Sequence, residues 1–300
     1  MTLERTVRIA ALAPRRPTAG PSAALVFALL AAGCAGDADG LSAAARVAGD
    51  STPPPVIRTP ATPYQPTAVV SDGWIGGTVR IAGAVPPDSA VNAARDRAVC
   101  GTVVTPLSVR HSGSALIGAV VWLEDIRTGK PLPMQRRYSV GTERCALVPR
   151  VQAAMVGGTL NVASGDPVVN QLRITREREQ LALVRHTGAG QVVPVESALA
   201  RPGMIAITSE VHPWTRGYVL VFDHPYFAVT GPRGDYTLEN VPPGTYRLVT
   251  WHERFGRVER LVEVVVGERT PVDITVGTPA GPTVGPGAEP VEGPAVRAAP

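Results

Sequence analysis

The residue types that could bind a metal or act in catalysis are few in this 300-residue chain: three cysteines, five histidines and one serine–histidine pair. Cys34, Cys100 and Cys145 form no CxxC pair and no cysteine–histidine cluster, so their spacing predicts no zinc site. Ser209 precedes His212 in "TSEVHPW", but no GxSxG elbow surrounds a serine, and nothing resembles a phosphate-binding loop. The sequence therefore predicts no catalytic residue, and we expect that the protein is not an enzyme.

The other polar residues of interest have structural explanations. The remaining histidines lack HxH or HxxxH spacing, and we expect them to be core or surface residues: His111, His186, His224 and His252. The last two lie at predicted strand ends, where their rings would stack on Tyr226 and Trp251. Glu124 and Asp125 are adjacent on a predicted strand, so they point to opposite faces and cannot converge on one substrate.

The positive charge of the chain is concentrated at its start. The net charge is +4, and residues 1–33 contribute +3 of it, because they hold Arg5, Arg8, Arg15 and Arg16 against Glu4. The remainder is close to neutral and offers no electrostatic footprint for nucleic acid. A nucleic-acid partner is therefore excluded.

The first residues have the pattern of a secretory signal, with arginines followed by an apolar run from Ser22 to Gly33. That run is too short for a membrane-spanning helix, which needs about 20 residues. It ends in "LLAAGC", which resembles the lipobox of bacterial lipoproteins. The resemblance implies a signal peptide at 1–33 and an acylated Cys34. The protein would then be an exported, membrane-anchored lipoprotein facing the periplasm or cell surface. The alternative is an ordinary signal peptide followed by an incidental cysteine.

Acylation of Cys34 would leave an even pair of cysteines in an oxidising compartment, where pairing is the default. Cys100 and Cys145 both lie beside strand-like segments, "AVCGTVV" and "RCALVPRV". We therefore predict a disulfide between them.

The elements that must position these residues are short strands. Residues 34–72 are rich in Pro, Ala, Ser and Thr and are predicted to be a disordered tether, and residues 277–300 a disordered tail. Between them, β-branched runs such as "GTLNVAS" and "GYVLVFD" alternate with turn signals, which predicts an all-β protein. Asp88–Val99 could form a short helix, as could part of Gln171–Val184. We expect helix in less than a tenth of the chain.

The stretch "VTGPRGDYTLENVPPGTYRLVTWHE" resembles the carboxypeptidase regulatory-like, or transthyretin-like, β-sandwich. In that family a strand precedes a "PPGxY" turn, here Pro242–Tyr246. The strands "GTVRIAGAVP" and "IGAVVWLED" resemble the opening of the same family. The resemblance implies that residues 73–148 and 230–276 supply the two ends of one sandwich.

Residues 149–229, between these ends, resemble cupredoxins. In secreted bacterial proteins with both patterns, a "SDPxxHN" stretch and a "CxVHPWM" loop supply His, Cys, His and Met to copper. Here "SGDPVVNQLRI" places Asn170 at the first histidine position, and "TSEVHPWTRGYVLVF" places Ser209 at the cysteine and Thr215 at the methionine position. His212 alone is retained. A serine hydroxyl cannot replace the thiolate that a blue-copper site needs, so we expect a degenerate site without metal or cofactor.

Together these patterns predict Greek-key β-sandwiches, one cupredoxin-like and one carboxypeptidase regulatory-like. The predicted function is non-catalytic recognition or structure in the cell envelope, with an unknown protein or carbohydrate ligand. One alternative is a periplasmic copper-binding electron-transfer protein with a rearranged site. A second is a carbohydrate-binding module whose stacking platform would come from the tryptophans Trp74, Trp122, Trp214 and Trp251.

Overall fold

The computed structural model of the chain describes residue 57 and residues 62–277. The predicted signal peptide, Cys34, the tether up to residue 61 apart from Ile57, and the tail from residue 278 lie outside the described residues. Strands make up 53% and helix 4% of the described residues, which confirms the predicted all-β class. Within the part of the chain that the structure describes, no helix is long and apolar enough to cross a membrane.

The strands are short and are numbered along the chain. The first eight are β1 Gln65–Pro66, β2 Gly73–Ile81, β3 Val91–Asn92, β4 Val103–Val104, β5 Arg110–Ser112, β6 Ala115–Ile117, β7 Val120–Glu124 and β8 Thr128–Gly129. The next nine are β9 Arg137–Glu143, β10 Ala146–Val148, β11 Val151–Met155, β12 Thr159–Ser164, β13 Asn170–Arg176, β14 Glu179–His186, β15 Val192–Val195, β16 Gly203–Ser209 and β17 Arg216–Phe222. The last six are β18 Phe227–Val229, β19 Asp235–Val241, β20 Gly244–His252, β21 Gly256–Val264, β22 Arg269–Pro271 and β23 Ile274–Val276. Two helical turns accompany them, α1 Arg97–Cys100 and a 3-10 turn Glu196–Leu199.

The first sandwich combines strands from both ends of the described chain. One sheet has the order β18-β7-β20-β21, and the other has the order β19-β2-β6-β5, with β22 and β23 also pairing with β2. Side chains of both sheets share one core, which includes Ile75, Leu116, Leu123 and Leu248. In β19, Tyr236 and Leu238 are buried while their neighbours are exposed, as the alternating sequence predicts.

The second sandwich is built from the middle of the chain. Its sheets have the orders β10-β9-β12-β15 and β11-β17-β16-β13-β14. Their shared core includes Leu160, Val162, Ile174 and Ile205, all fully buried. The second sandwich is thus inserted between the two halves of the first.

A third apolar cluster joins the two sandwiches through the strands β7 and β20 of the first and β11 and β17 of the second. The rings of Trp122 and Phe222 are 5.5 Å apart, and those of Tyr218 and Trp251 are 5.6 Å apart. The strands β7 and β17 are buried on both faces, which explains why "VVWL" and "YVLVF" are continuously apolar instead of alternating.

Strand pairing moves two of the predicted boundaries. Residues 137–142 pair with Thr159–Ser164, so β9 belongs to the second sandwich and not to the segment 73–148. Gln65–Pro66 pair with Thr128–Gly129, and Tyr64 is 8% exposed, although both precede the predicted end of the tether at residue 72. Tyr64 explains the second difference, because its buried ring joins the first core and its hydroxyl donates to the Lys130 carbonyl at 2.7 Å.

The two helix predictions are largely wrong. Asp88–Val99 is extended at Val91–Asn92, and only its end enters α1. Gln171–Val184 falls in the antiparallel pair β13 and β14, with a turn at Glu177, where φ is 53°. In β13 every second residue is buried, and this period-two burial selects a strand despite the many charged residues.

Candidate functional site

The candidate site is the loop from Ser209 to Thr215 at the end of β16 and the start of β17. The Ser209 amide donates to the Thr215 carbonyl at 3.0 Å, and the Thr215 amide donates to the His212 carbonyl at 2.9 Å. The Ser209 Oγ atom accepts hydrogen bonds from the amides of Val211 at 3.1 Å and His212 at 3.0 Å. Serine therefore holds the turn by the local side chain-to-backbone bonding typical of this residue.

Asn170 joins this loop from the first position of β13, which pairs with β16. The Ser209 hydroxyl donates to Asn170 Oδ1 at 2.6 Å, and the Gln171 amide donates to the same oxygen at 2.9 Å. Asn170, Ser209, His212 and Thr215 are all buried. The structure thus brings the four positions singled out by the cupredoxin resemblance into one hydrogen-bonded cluster.

The donor atoms of this cluster do not fit a type 1 copper site. The oxygens of Ser209 and Asn170 are engaged with each other and with backbone amides, and the Thr215 hydroxyl donates to the Cys145 carbonyl. None of these three residues offers the thiolate, imidazole or thioether that defines such a site. His212 is the one ligand of that type among the four.

His212 is held by an acidic residue that sequence reasoning missed. Its Nε2 atom lies 3.0 Å from Asp96 Oδ2, and its Nδ1 atom is buried without a hydrogen-bond partner. An ionised carboxylate only accepts, so Nε2 is the donor in this contact. The His212 ring also packs against Trp214, with the ring centroids 5.4 Å apart. No sequence signal marks Asp96, which lies in the segment predicted to be helical.

The predicted disulfide between Cys100 and Cys145 is present, with a Cα–Cα distance of 5.2 Å. It ties α1 to the turn between β9 and β10, and Cys145 is fully buried. Both backbone polar groups of Cys145 are hydrogen-bonded. Its amide donates to Asp166 Oδ2 at 3.0 Å, and its carbonyl accepts from Trp214 Nε1 at 3.0 Å. The disulfide is thus connected directly to the loop that carries His212.

The turn that presents Cys145 has an unusual backbone. Arg144 and Cys145 join β9 to β10 with φ angles of 48° and 58°. Two-residue hairpins with both angles positive favour Asn and Gly, because a β-carbon is strained there. We conclude that the disulfide and the hydrogen bonds of Cys145 hold this strained turn in place.

The side chains of the other four histidines form contacts of their own, and His186 pairs with Asn170 of this site across β13 and β14. His111 is exposed, with Nδ1 at 3.0 Å from the Gly113 carbonyl, and His186 is buried, with Nε2 at 3.1 Å from the Val162 carbonyl. His224 and His252 are also buried, and in each the Nδ1 atom accepts an amide two residues ahead, at 3.2 Å. His111 is thus a surface residue, and His186, His224 and His252 are core residues, which are the two kinds of position that the sequence predicts.

Burial determines the charge of the two histidines His224 and His252. Desolvation lowers the pKa of His224 to about 3, and the nearby charges of Arg127 and Lys130 add to the effect. Desolvation also lowers the pKa of His252 to about 3, with contributions from Arg150 and Arg254. Both rings are therefore neutral at physiological pH. His252 packs against Phe255 at 5.3 Å and not against Trp251 as expected, because the Trp251 ring meets Tyr218.

The adjacent acidic residues and the four tryptophans considered in the sequence do not form a shared site among the described residues. Glu124 accepts a hydrogen bond from Arg257 at 2.7 Å, while Asp125 forms a turn with φ of 63°. Trp122, Trp214 and Trp251 are buried at 7% exposure or less, whereas Trp74 is 39% exposed. The four tryptophans therefore do not form a shared stacking platform.

A buried ion pair marks a second polar region that the sequence did not indicate. Arg150 Nη2 lies 2.7 Å from Glu253 Oε2, and Glu253 is 3% exposed. A cavity of about 170 Å³ adjoins the pair and is also lined by Ser108, Thr230 and His252. The pair connects the start of β11 with the end of β20, so it reinforces the contact between the two sandwiches.

Comparisons with known proteins give only partial similarity. No protein-family model matches the chain, and no curated protein matches it. A copper-containing nitrite reductase from Thermus scotoductus SA-01 is 18% identical over 34% of this chain and 24% of its own, with a TM-score of 0.26. Amicyanin from Paracoccus versutus is 17% identical over 30% of this chain and 85% of its own, with a TM-score of 0.26. A purple cupredoxin from Nitrosopumilus maritimus is 17% identical over 28% of this chain and 99% of its own, with a TM-score of 0.24.

Proposed function

We propose that this chain is a non-catalytic recognition or structural protein of the bacterial cell envelope, anchored by a lipid on Cys34, whose cupredoxin-like part has lost type 1 copper. The observation that carries the proposal is the hydrogen bonding of the former ligand positions. Asn170, Ser209 and Thr215 are engaged in holding the loop and the Cys145 turn. Side chains used in this way stabilise the scaffold and are not free to bind copper or substrate.

A non-catalytic role also agrees with the state of the buried titratable groups. His224 and His252 are neutral and accept backbone amides, and Glu253 is paired with Arg150. Catalytic acids and bases require a pKa near the working pH, whereas the pKa of each of these two histidines is about 3. They are suited to packing.

The loss of the copper site is tested by restoring it. In the variant Asn170→His, Ser209→Cys, Thr215→Met, the four positions would again supply His, Cys, His and Met. We expect added Cu(II) to give this variant the intense absorption of a thiolate–copper bond, while the parent protein stays colourless. Absorption spectra of both proteins during copper titration measure the difference.

The matched control is Asn170→His, Thr215→Met, which keeps Ser209 and should bind copper without the intense colour. A parent protein that itself turns blue would overturn the proposed loss of the site. A folded triple variant that binds no copper would show that the four positions do not correspond to a cupredoxin site.

The anchor is tested separately. Replacing Cys34 with alanine removes the acylation site implied by "LLAAGC". We expect the parent protein in the membrane fraction and the Cys34→Ala protein in the soluble fraction after cell breakage. Radiolabelled palmitate should be incorporated into the parent alone. A Cys34→Ala protein that remains with the membranes would place the anchor elsewhere.

A further inference from the structure

The disulfide and His212 form a group whose atoms suit a metal ion. The two sulfurs of Cys100 and Cys145 and one ring nitrogen of His212 lie within 4.8 Å of one another. Ligand atoms that share a tetrahedral zinc ion are about 3.7 Å apart, given metal–sulfur distances near 2.3 Å. This is the one group of three metal-ligating side chains of this kind found among the described residues. None of its cysteines belongs to the positions that the cupredoxin resemblance singled out.

We infer that reduction of the Cys100–Cys145 disulfide turns this group into a binding site for a thiolate-preferring metal ion, Cu(I) or Zn²⁺, held by both sulfurs and the His212 imidazole. The inference does not depend on the proposed function, because it requires neither a lipid anchor nor a non-catalytic role. Two thiolates and one imidazole are the donors that select these ions over Mg²⁺ or Ca²⁺.

The surroundings of His212 prepare it as a ligand. Asp96 accepts a hydrogen bond from Nε2 at 3.0 Å, and Nδ1 is buried without a partner. In a neutral ring with its proton on Nε2, Nδ1 is the nitrogen that offers a lone pair to an ion. A carboxylate that orients a ligating histidine through its second nitrogen is the usual support of a metal site. The unpartnered Nδ1 atom would gain an acceptor for its lone pair when the ion binds.

The apolar environment couples deprotonation of the two cysteines to metal binding. The disulfide packs among Ala93, Trp214 and four partly buried valines, Val91, Val99, Val104 and Val168. In such surroundings the reduced cysteines remain thiols, and they form thiolates only together with a counter-charge, because desolvation disfavours the charged form. A bound cation supplies that charge. The hydrogen bonds of Cys145 to Asp166 and Trp214 would keep one ligand in position throughout.

Conversion of the disulfide into the metal-binding form requires a reductant, which is a dithiol. The dithiol attacks the disulfide, the Sγ–Sγ bond breaks, and the second thiol of the reductant closes its own disulfide. Cys100 and Cys145 together gain two electrons and two protons, and the reductant loses them. Metal binding then displaces the two thiol protons, so the oxidised and metal-bound forms exclude each other.

The test uses the full chain with Cys34→Ala, so that Cys100 and Cys145 are the only cysteines. The protein is prepared oxidised and, without oxygen, reduced by a phosphine, and each form receives Zn²⁺ or Cu(I). We expect one equivalent of metal to remain on the reduced protein after gel filtration and none on the oxidised protein. Binding should also protect both thiols from a thiol reagent. Competition with a chelator gives the affinity, and the two arms show which ion is preferred.

Variants separate the site from adventitious binding. His212→Asn should weaken metal affinity at least tenfold, and Asp96→Ala should weaken it by about 10–100-fold, because alanine cannot accept the orienting hydrogen bond from Nε2. His186→Asn is the matched control, because His186 is another buried histidine with an unpartnered Nδ1 that does not belong to the group of Cys100, Cys145 and His212, and it should leave affinity unchanged. If His212→Asn does not fold, Asp96→Ala remains as the second test, since the Asp96 side chain is partly exposed.

Several results would overturn the inference. The oxidised protein could bind metal as tightly as the reduced protein. The reduced protein could bind none while keeping its circular dichroism spectrum, or could unfold without recovering on addition of one equivalent. A folded His212→Asn protein with parental affinity would show that the imidazole is not a ligand, and a folded Asp96→Ala protein with parental affinity would show that Asp96 does not support it.

Discussion

Lowering the pH from 7.5 to 5 should reduce the free energy of unfolding by roughly 4 kcal/mol through His224 and His252 alone, about 2 kcal/mol for each. Both rings are buried, and desolvation lowers the pKa of each to about 3. In the unfolded chain a histidine has a pKa near 6.5. Below pH 6.5 the unfolded state therefore binds protons that the folded state does not. The stabilisation is complete above pH 6.5 and is lost progressively as the pH falls towards 3.

Urea unfolding at pH 7.5, 6 and 5 measures this loss. The double variant His224→Asn, His252→Asn should show a much smaller pH dependence, because asparagine can accept the same amide two residues ahead without titrating. His111→Asn is the control, since His111 is exposed, and it should keep the parental slope. Glu259 is present in the parent and in the double variant, so it does not account for a difference between them, although hydrogen bonding from Arg257 lowers the pKa of its carboxylate below its usual range. A pH dependence that is equal in the parent and the double variant would contradict the prediction.

Removing the disulfide should have a similarly large effect. The cysteines are 45 residues apart in sequence, and closing a loop of that length stabilises the folded state by about 4 kcal/mol on a chain-entropy estimate. We expect the variant Cys100→Ala, Cys145→Ala to unfold at a clearly lower urea concentration, with an unchanged circular dichroism spectrum at low urea. The strained turn at Arg144 and Cys145 should then become more mobile, because the disulfide no longer holds it.

The controls for the disulfide are the reduced parent and the two single variants, all compared in the absence of metal. The reduced parent should be close to the double variant in stability. A thiol titration should find neither Cys100 nor Cys145 free in the natively folded, periplasmically expressed protein. Two reactive thiols in that protein, or equal stability of the parent and the double variant, would refute the disulfide's contribution.

The two effects have different physical origins and should be additive in the variants. His224 and His252 belong to the first sandwich and its contact with the second, whereas Cys145 lies at an end of the second sandwich. Distant sites without shared partners usually contribute independently. The combined variant therefore serves as a check on both interpretations.

Local sequence patterns predicted much of the fold. The alternation in β19 indicated a strand with one buried face, and the continuous apolar runs of β7 and β17 indicated strands. The number of cysteines predicted the Cys100–Cys145 pair, because setting aside Cys34, in the lipobox-like "LLAAGC", leaves one possible pairing. Each of these inferences depends on near neighbours or on composition.

The helix prediction for Gln171–Val184 shows where local patterns are insufficient. Charged residues at several spacings are compatible with a helical face, but the period-two burial of Leu172 and Ile174 is created by β16 and the second core. Cross-strand packing decides between helix and strand in such a segment. One partner, β14, lies in the same segment, but the other, β16, is paired at residues 205–209 and cannot be identified from the segment itself.

Some properties of the candidate site follow from residue type, and others follow only from contacts between distant segments. Sequence alone determined that Ser209 and Asn170 cannot supply a thiolate and an imidazole, since residue type decides what an atom can ligate. Only the tertiary structure placed Asp96 beside His212, 116 residues further along the chain, and placed the disulfide within reach of the same ring. It also decided that His224 and His252 are neutral, because their charge depends on burial by strands from both ends of the chain. Contacts of this kind arise from packing between distant segments, and no local pattern encodes them.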